Sequence, residues 1–432
     1  MTITVAIIGS GPSAFYTAEA LAKSCADLRV DMIERLPAPF GLIRYGVAPD
    51  HESTRRVSRA FDRTARGPNI RFFGNVEVGR DVALDGLREM YDAVVLAVGA
   101  PHDRKLGIPG ENLKNVFGSA DFVGWYNGHP DFRALNPDLK IKAACVVCVG
   151  NVALDVARLL VRTRQELAET DMPDYAVEAL AGSDVTDVYL LGRRGPAEAA
   201  FTIGELREMG ELSQASPVVD PAQLPANLDH LSEDDRRVQG KLVELLKTFP
   251  GLQQDKPKRV HFRFFAAPRE VLGQGRVAGL KVERTKVDGG RAVGTGEIYE
   301  IPCGLVVAAI GYRSPKIEGG MFDDAKGLYA NAAGRVAPGL YAVGWAMRGP
   351  SGVIGTNKID GQTVAAHILA DIKAGARPGR AALEQALGKA GAKITSYDDW
   401  LKLDAEEVKR ARPKSPRGKF TSVAEMLAFL GR

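Results

Sequence analysis

The sequence predicts an α/β chain of two domains, each a largely parallel sheet with helices on its faces. Three observations predict it. An apolar strand at the N-terminus runs into a glycine turn and then a helix. A second strand–turn–helix unit begins near Cys145. Each unit is followed by another strand with a charged end, Glu34 in the first and Arg193-Arg194 in the second. Alternating strands and helices call for parallel sheets joined by right-handed crossovers. The predicted fold class is therefore α/β with two Rossmann-like dinucleotide-binding domains.

Size and composition bound this reading. A chain of 432 residues has room for two or three domains. With 45% hydrophobic and 25% charged residues, it can bury sizeable cores, which excludes disorder as its main state. Lys and Arg outnumber Asp and Glu by only 57 to 53, too mild an excess to point to nucleic acid. The 4 Cys exclude a disulfide scaffold. No apolar run is long enough to span a membrane. Residues 1–8 lack a basic leader and read as a buried strand, so the expected compartment is the cytoplasm.

In the first unit the strand Val5–Ile8 precedes Gly9-Ser10-Gly11-Pro12-Ser13-Ala14 and a helix to about Lys23. Gly9 permits the tight turn, Gly11 lets a pyrophosphate approach the backbone, and Ala14 lets helix and strand pack closely. The helix N-terminus turns unpaired N–H groups toward the phosphates. A second strand, Val30–Ile33, ends at Glu34, 20 positions beyond Ala14. Its carboxylate accepts hydrogen bonds from ribose hydroxyls and repels a 2′-phosphate. The site fits FAD or NAD better than NADP.

In the second unit the strand Cys145–Cys148 precedes Val149-Gly150-Asn151-Val152-Ala153 and a helix from Leu154 to about Leu167. Gly150 and the small final residue are in place, but Cys148 stands where the first glycine belongs. The next strand, Val188–Leu191, ends at Gly192-Arg193-Arg194. Two planar, permanently charged guanidiniums suit a 2′-phosphate, so this site reads as NADP-specific. Cys145 and Cys148 form a C-x-x-C, which raises a disulfide-reductase alternative. On an extended strand their Cα atoms stand about 10 Å apart, too far for a disulfide.

Two nucleotide folds in one chain suggest a flavoprotein with FAD in the first domain and NADP(H) in the second. At this point the chain resembles the adrenodoxin reductase-type ferredoxin–NADP reductases. The resemblance rests on Phe40-Gly41-Leu42-Ile43-Arg44-Tyr45-Gly46-Val47-Ala48-Pro49-Asp50-His51, on residues 150–158 and 191–196, on Glu205-Leu206-Arg207-Glu208-Met209, and on Gly344-Trp345 through Asn357. It runs from about Val5 to the C-terminus. It implies FAD contacts from Ser13, Glu34, Leu42 and Val78, with the flavin ring held by Trp345, Gly352, Val353 and Ile354. It implies NADP contacts from Asn151, Arg193, Arg194 and Glu205, with Gly352 close to the nicotinamide. His51 and Glu208 are implied near the nicotinamide, assisting hydride transfer. The departures are Cys148 and Val149 in the second turn, Glu52 after His51, and Ala197-Glu198-Ala199 after Pro196. They predict an active NADPH site of reduced affinity.

The resemblance points to a separate ferredoxin, typically acidic, as partner. The helix after Pro49 offers Arg55, Arg59, Arg63 and Arg66 on one face. Arg207, Arg236, Arg237 and Lys241 form a second basic group, and ferredoxin is expected to dock between the two. The alternatives are an electron-transfer subunit like that of glutamate synthase, which usually carries an iron–sulfur segment absent here, and a non-catalytic nucleotide-binding sensor. The FAD domain is expected over 1–100 and 305–432, with a C-terminal extension over 376–432, and the NADP domain over 101–304. Within the extension, residues 411–418 read as a solvated basic linker between short helices at 404–410 and 423–430.

Overall fold

A computed structural model describes residues 2–229, 231–372, 375 and 377–432; residue 376, where the extension was expected to begin, lies outside the described residues. The chain forms two compact units. One holds the chain up to His102, Asn127–Arg133 and everything from Gly311 on; the other holds Asp103–Tyr126 and Ala134–Ile310.

The first unit opens with β1 (Ile3–Ile8), α1 (Pro12–Ser24) and β2 (Leu28–Glu34), followed by β3 (Ile70–Gly74) and β4 (Ala93–Leu96). β1 pairs in parallel with β2 on one side and β4 on the other. A strand flanked on both sides and covered on both faces must be apolar throughout, and Val5, Ala6 and Ile7 are fully buried. The single helix expected after Pro49 is instead two short ones, Glu52–Arg55 and Ser58–Ala65.

The second unit contains β5 (Val116–Gly118), β6 (Ala143–Val147), α2 (Asn151–Val161), β7 (Asp187–Leu191), α3 (Ile203–Gly210), β8 (Ala215–Val219), α4 (Glu233–Thr248) and β9 (Lys258–Arg263). An antiparallel sheet follows, β10 (Ala266–Leu272), β11 (Gly279–Asp288) and β12 (Arg291–Pro302), and then β13 (Leu305–Ala308). The main sheet has the order β5-β13-β6-β7-β9-β8. α2 ends six residues before the predicted helix does, because Thr163 and Glu166 form a capping box that starts a new helix, Arg164–Ala168. β13 lies between β5 and β6, so the chain re-enters the first unit at Gly311 rather than at 305. All four residues of β13 are buried, and only a central position in the second sheet covers both faces of so apolar a strand.

The returning chain completes the first sheet with β14 (Arg335–Ala337) and β15 (Leu340–Ala342), the latter parallel to β4. The helix α5 (Thr356–Asp371) crosses α1 closely: a Cβ at Gly361 would lie 2.8 Å from the Thr17 nitrogen. The C-terminal helices are α6 (Tyr397–Lys409) and α7 (Val423–Phe429). The segment between them is only partly a solvated linker: Pro413, Lys414 and Pro416 are exposed, but the chain around them is tied down. Lys419 is 7% exposed and donates to the carbonyl oxygens of Arg44 and Asn127, each at 3.1 Å. Arg417 pairs with Asp404 and Glu407. Of the basic residues read as solvent-facing, Arg417 is held by carboxylates of α6, and Lys419, just beyond the expected linker, is buried on carbonyl oxygens.

Candidate functional site

Each unit carries a strand–turn–helix site. In the first, Gly9 has φ +107°, and a Cβ there would sit 2.4 Å from the Ala97 carbonyl oxygen, so only glycine fits. Gly11 is extended and caps α1, with Pro12 in the first helical position. A Cβ at Gly11 would meet no protein atom within 4 Å. Ala14 is fully buried where α1 packs on the sheet. The space above Gly11 is therefore open, at a helix N-terminus whose amide groups favour anions. Glu34 ends β2 beside this turn. Its Oε2 accepts from the Ser10 nitrogen at 3.0 Å and from Ser10 Oγ at 2.6 Å, and its Oε1 accepts from the Leu36 nitrogen at 3.1 Å. These bonds aim a carboxylate at the edge of the turn.

The returning chain meets the same turn. Ser13 abuts Gly344, where a Cβ would approach the Ser13 Cβ to 2.6 Å. Trp345 follows, stacked on Tyr312 with ring centroids 5.8 Å apart, and its Nε1 donates to the Ser351 carbonyl at 3.1 Å. Gly352 has φ +76°. Thr356 Oγ1 accepts from the Val353 nitrogen at 3.2 Å, and Asn357 Nδ2 donates to the Ile354 carbonyl at 3.1 Å. Val353 and Leu42 are apolar yet 60% and 42% exposed. An open glycine cradle, a carboxylate at its edge and two exposed apolar side chains fit a dinucleotide with a planar ring. Val78 is different: it bridges Val82 and packs against the core.

In the second unit, β6 is followed directly by Cys148, which takes φ +139°, a backbone region strained for any residue with a side chain. Val149 is 9% exposed, and a Cβ at Gly192 would come 2.9 Å from its Cγ2; its side chain fills the turn from inside. Gly150 caps α2 in an extended conformation, and no atom but the Cys148 sulfur, at 4.0 Å, approaches its Cβ position. Asn151 Oδ1 accepts from the Thr202 nitrogen at 2.8 Å, tying the start of α2 to the start of α3. Burial raises the Cys148 thiol pKa, opposed by the Val149 and Gly150 amides and by the charges of Arg193 and Arg194. Both guanidiniums thus act on the turn. Among the described residues neither has an ion-pair partner. The C-x-x-C is no disulfide: all four cysteines are free, and burial raises the Cys145 thiol pKa as well.

Glu205 and Glu208 lie on α3. The guanidinium of Arg158, fully buried on α2, reaches Asp155 at 2.7 Å and both Glu205 and Glu208 at 3.3 Å. Sequence reasoning gave Arg158 no role. Its signal was a charged pair, Asp155 and Arg158, one turn apart on an otherwise apolar helix. Arg348 and Asp360 were missed too; their 2.7 Å pair braces the turn that carries Gly352. His51, in the first unit, is the partly buried N-cap residue of Glu52–Arg55.

The expected arginine face is only partly present. Arg55 turns inward to the Val47 carbonyl and to Asn127 Oδ1, so it does not belong to a docking surface. Arg66 is held by Asp62 at 2.9 Å, and Arg236 stands 3.6 Å from Asp229. Arg59, Arg63, Arg207, Arg237 and Lys241 remain exposed.

Comparison with known proteins places this architecture. Residues 3–193 match the pyridine nucleotide-disulphide oxidoreductase family. The chain is 42% identical to the mitochondrial NADPH:adrenodoxin oxidoreductase of Bos taurus, over 100% of this chain and 92% of that protein. It is 42% identical to the NADPH-ferredoxin reductase FprA of Mycobacterium tuberculosis, over 98% of each. The solved structure of that FprA in complex with NADPH superposes with a TM-score of 0.94 at 40% identity, covering 99% of both chains. The chain belongs to the adrenodoxin reductase-type family of NADPH-dependent ferredoxin reductases, which are oxidoreductases. No helix among the described residues is long and apolar enough to cross a membrane.

Proposed function

We propose that this chain moves electrons between NADPH and a ferredoxin through bound FAD. One observation carries the reading: two glycine-turn sites of opposite charge at the ribose end, Glu34 in one and Arg193-Arg194 in the other. FAD, when bound, supplies the conversion between two-electron and one-electron transfer. The protein supplies orientation and charge. Gly9, Gly11, Ser13 and Ala14 form the pyrophosphate turn for FAD, and Glu34 takes its ribose hydroxyls. Leu42, Trp345, Gly352, Val353 and Ile354 line the ring, with Val78 supporting from the core. Gly150 and Asn151 open the NADP turn, Arg193 and Arg194 clamp the 2′-phosphate, and Glu205, Glu208 and His51 serve the nicotinamide end. The domain that binds FAD is the first unit, and the NADP domain is the second.

The ferredoxin is recognised through exposed cations: Arg59 and Arg63 on one unit, and Arg207, Arg237 and Lys241 on the other. The compartment we propose is the cytoplasm, in keeping with four free thiols. Anaerobic stopped-flow mixing with NADPH or NADH tests the core of this reading. NADPH is expected to bleach the flavin absorbance much faster than NADH. In Arg193→Ala and Arg194→Ala variants that preference is expected to fall about a hundredfold, the order of two charge-assisted contacts. Equal rates with both coenzymes in the wild type would overturn the assignment of the second site.

A further inference from the structure

We infer that the C-terminal segment is part of the FAD cradle: the buried Arg44–Glu407 ion pair is a positioning element that holds residues 40–46 against the Gly9–Ala14 turn. The inference rests on the FAD reading of that turn and adds residues that nothing else assigns to it.

The two residues are 363 positions apart, and their side chains are only 4% and 0% exposed. Arg44 Nη1 donates to Glu407 Oε2 at 2.9 Å, and Nη2 donates to Oε1. The guanidinium lies 5.0 Å from the ring centres of both Tyr45 and Trp400. Glu407 Oε1 also accepts from the Phe420 nitrogen at 2.8 Å, and the Glu407 carbonyl accepts from the Gly418 nitrogen at 2.7 Å. Lys419 fastens the same point through the Arg44 carbonyl. The segment after α6 therefore folds back onto Arg44 at several places.

Arg44 in turn controls the turn. It sits in the four-residue helix Leu42–Tyr45, too short to hold its own shape. At the head of that helix the Phe40 nitrogen donates to the Ser10 carbonyl at 3.0 Å. Gly41 has φ +48°, and a Cβ there would lie 3.0 Å from the Gly11 Cα. Leu42, exposed on the cradle, is the next residue. Anything that releases Arg44 frees the residues that pack on the dinucleotide turn. Two buried charges are a poor way to gain stability, since matched apolar side chains often do as well. What a bidentate guanidinium–carboxylate pair adds is a single orientation.

FAD titration of flavin-free, full-length protein tests this, with calorimetric unfolding of the same flavin-free samples alongside. Glu407→Gln is expected to raise the FAD dissociation constant on the order of tenfold, and Glu407→Asp to recover part of that loss. A double variant, Arg44→Met with Glu407→Met, removes both charges and keeps the volume. It is expected to unfold near the wild-type temperature without FAD and yet still bind FAD weakly. FAD affinity unchanged in Glu407→Gln and in the double variant overturns the inference. So does an unfolding temperature that falls together with FAD affinity in every variant, because the pair then supports the fold and not the cradle. Wild-type protein that takes up no FAD overturns the cofactor reading along with it.

Discussion

Cys148 stands where the turn geometry asks for glycine. At φ +139° its side chain carries strain of about 1–3 kcal/mol, and its sulfur lies over the position that Gly150 leaves open. Cys148→Gly is expected to tighten NADP⁺ binding about fivefold, equivalent to about 1 kcal/mol, measured by titration calorimetry. Unchanged or weaker binding would show that the sulfur does not obstruct the coenzyme. Asp103 is a second residue-scale case. Its carboxylate accepts from the Ala120 nitrogen at 2.9 Å and the Asp121 nitrogen at 3.3 Å, at the start of the helix Ser119–Asn127. Burial nevertheless pushes its pKa up to about 6. With a folded pKa above the unfolded value of about 3.9, the contribution to stability is fullest below about pH 4 and is lost as pH rises through about 6. The loss is about 3 kcal/mol at most. Asp103→Asn keeps an acceptor oxygen and removes the charge. Urea unfolding at pH 5 and pH 7.5 is expected to show a smaller difference in the variant than in the wild type; an identical difference rules Asp103 out as the source.

Elements decide which cations can meet a partner. Read as one helix, residues after Pro49 put four arginines on a face. Broken after Arg55, they leave Arg59 and Arg63 on Ser58–Ala65 and send Arg55 into the protein. The sequence carried the charges but not the break, since the hydrogen bonds that capture Arg55 come from Val47 and Asn127, the latter 72 residues away. Reversing both charges, Arg59→Glu with Arg63→Glu, is expected to slow ferredoxin-dependent cytochrome reduction about tenfold at low salt, with the gap closing as ionic strength rises. Ferricyanide reduction by NADPH serves as the control, because a small anion needs no docking surface. Ferredoxin-dependent rates equal to wild type at low salt would remove this helix from the docking surface. The strands tell the opposite story. β1 and β6 were legible because a doubly covered parallel strand must be largely apolar along its length, a property written locally in the chain.

On the scale of the whole molecule, a ligand that binds only the folded state raises stability in proportion to its occupancy. FAD at about a hundred times its dissociation constant is expected to stabilise the flavin-free protein by about 2.7 kcal/mol, visible as a higher unfolding temperature by scanning calorimetry. No shift on adding FAD would count against the first cradle. The glycine turns, their charged following strand ends and the strand–turn–helix units around them were legible in the sequence alone. Each is a short-range pattern whose physics is complete within about thirty residues. The tertiary structure alone decided four things: that β13 belongs to the second sheet, that Arg158 gathers three carboxylates, that Arg55 leaves the surface, and that the C-terminal segment closes on Arg44. Each depends on which distant group supplies a partner for a buried strand or charge, and that choice exists only once the chain has folded.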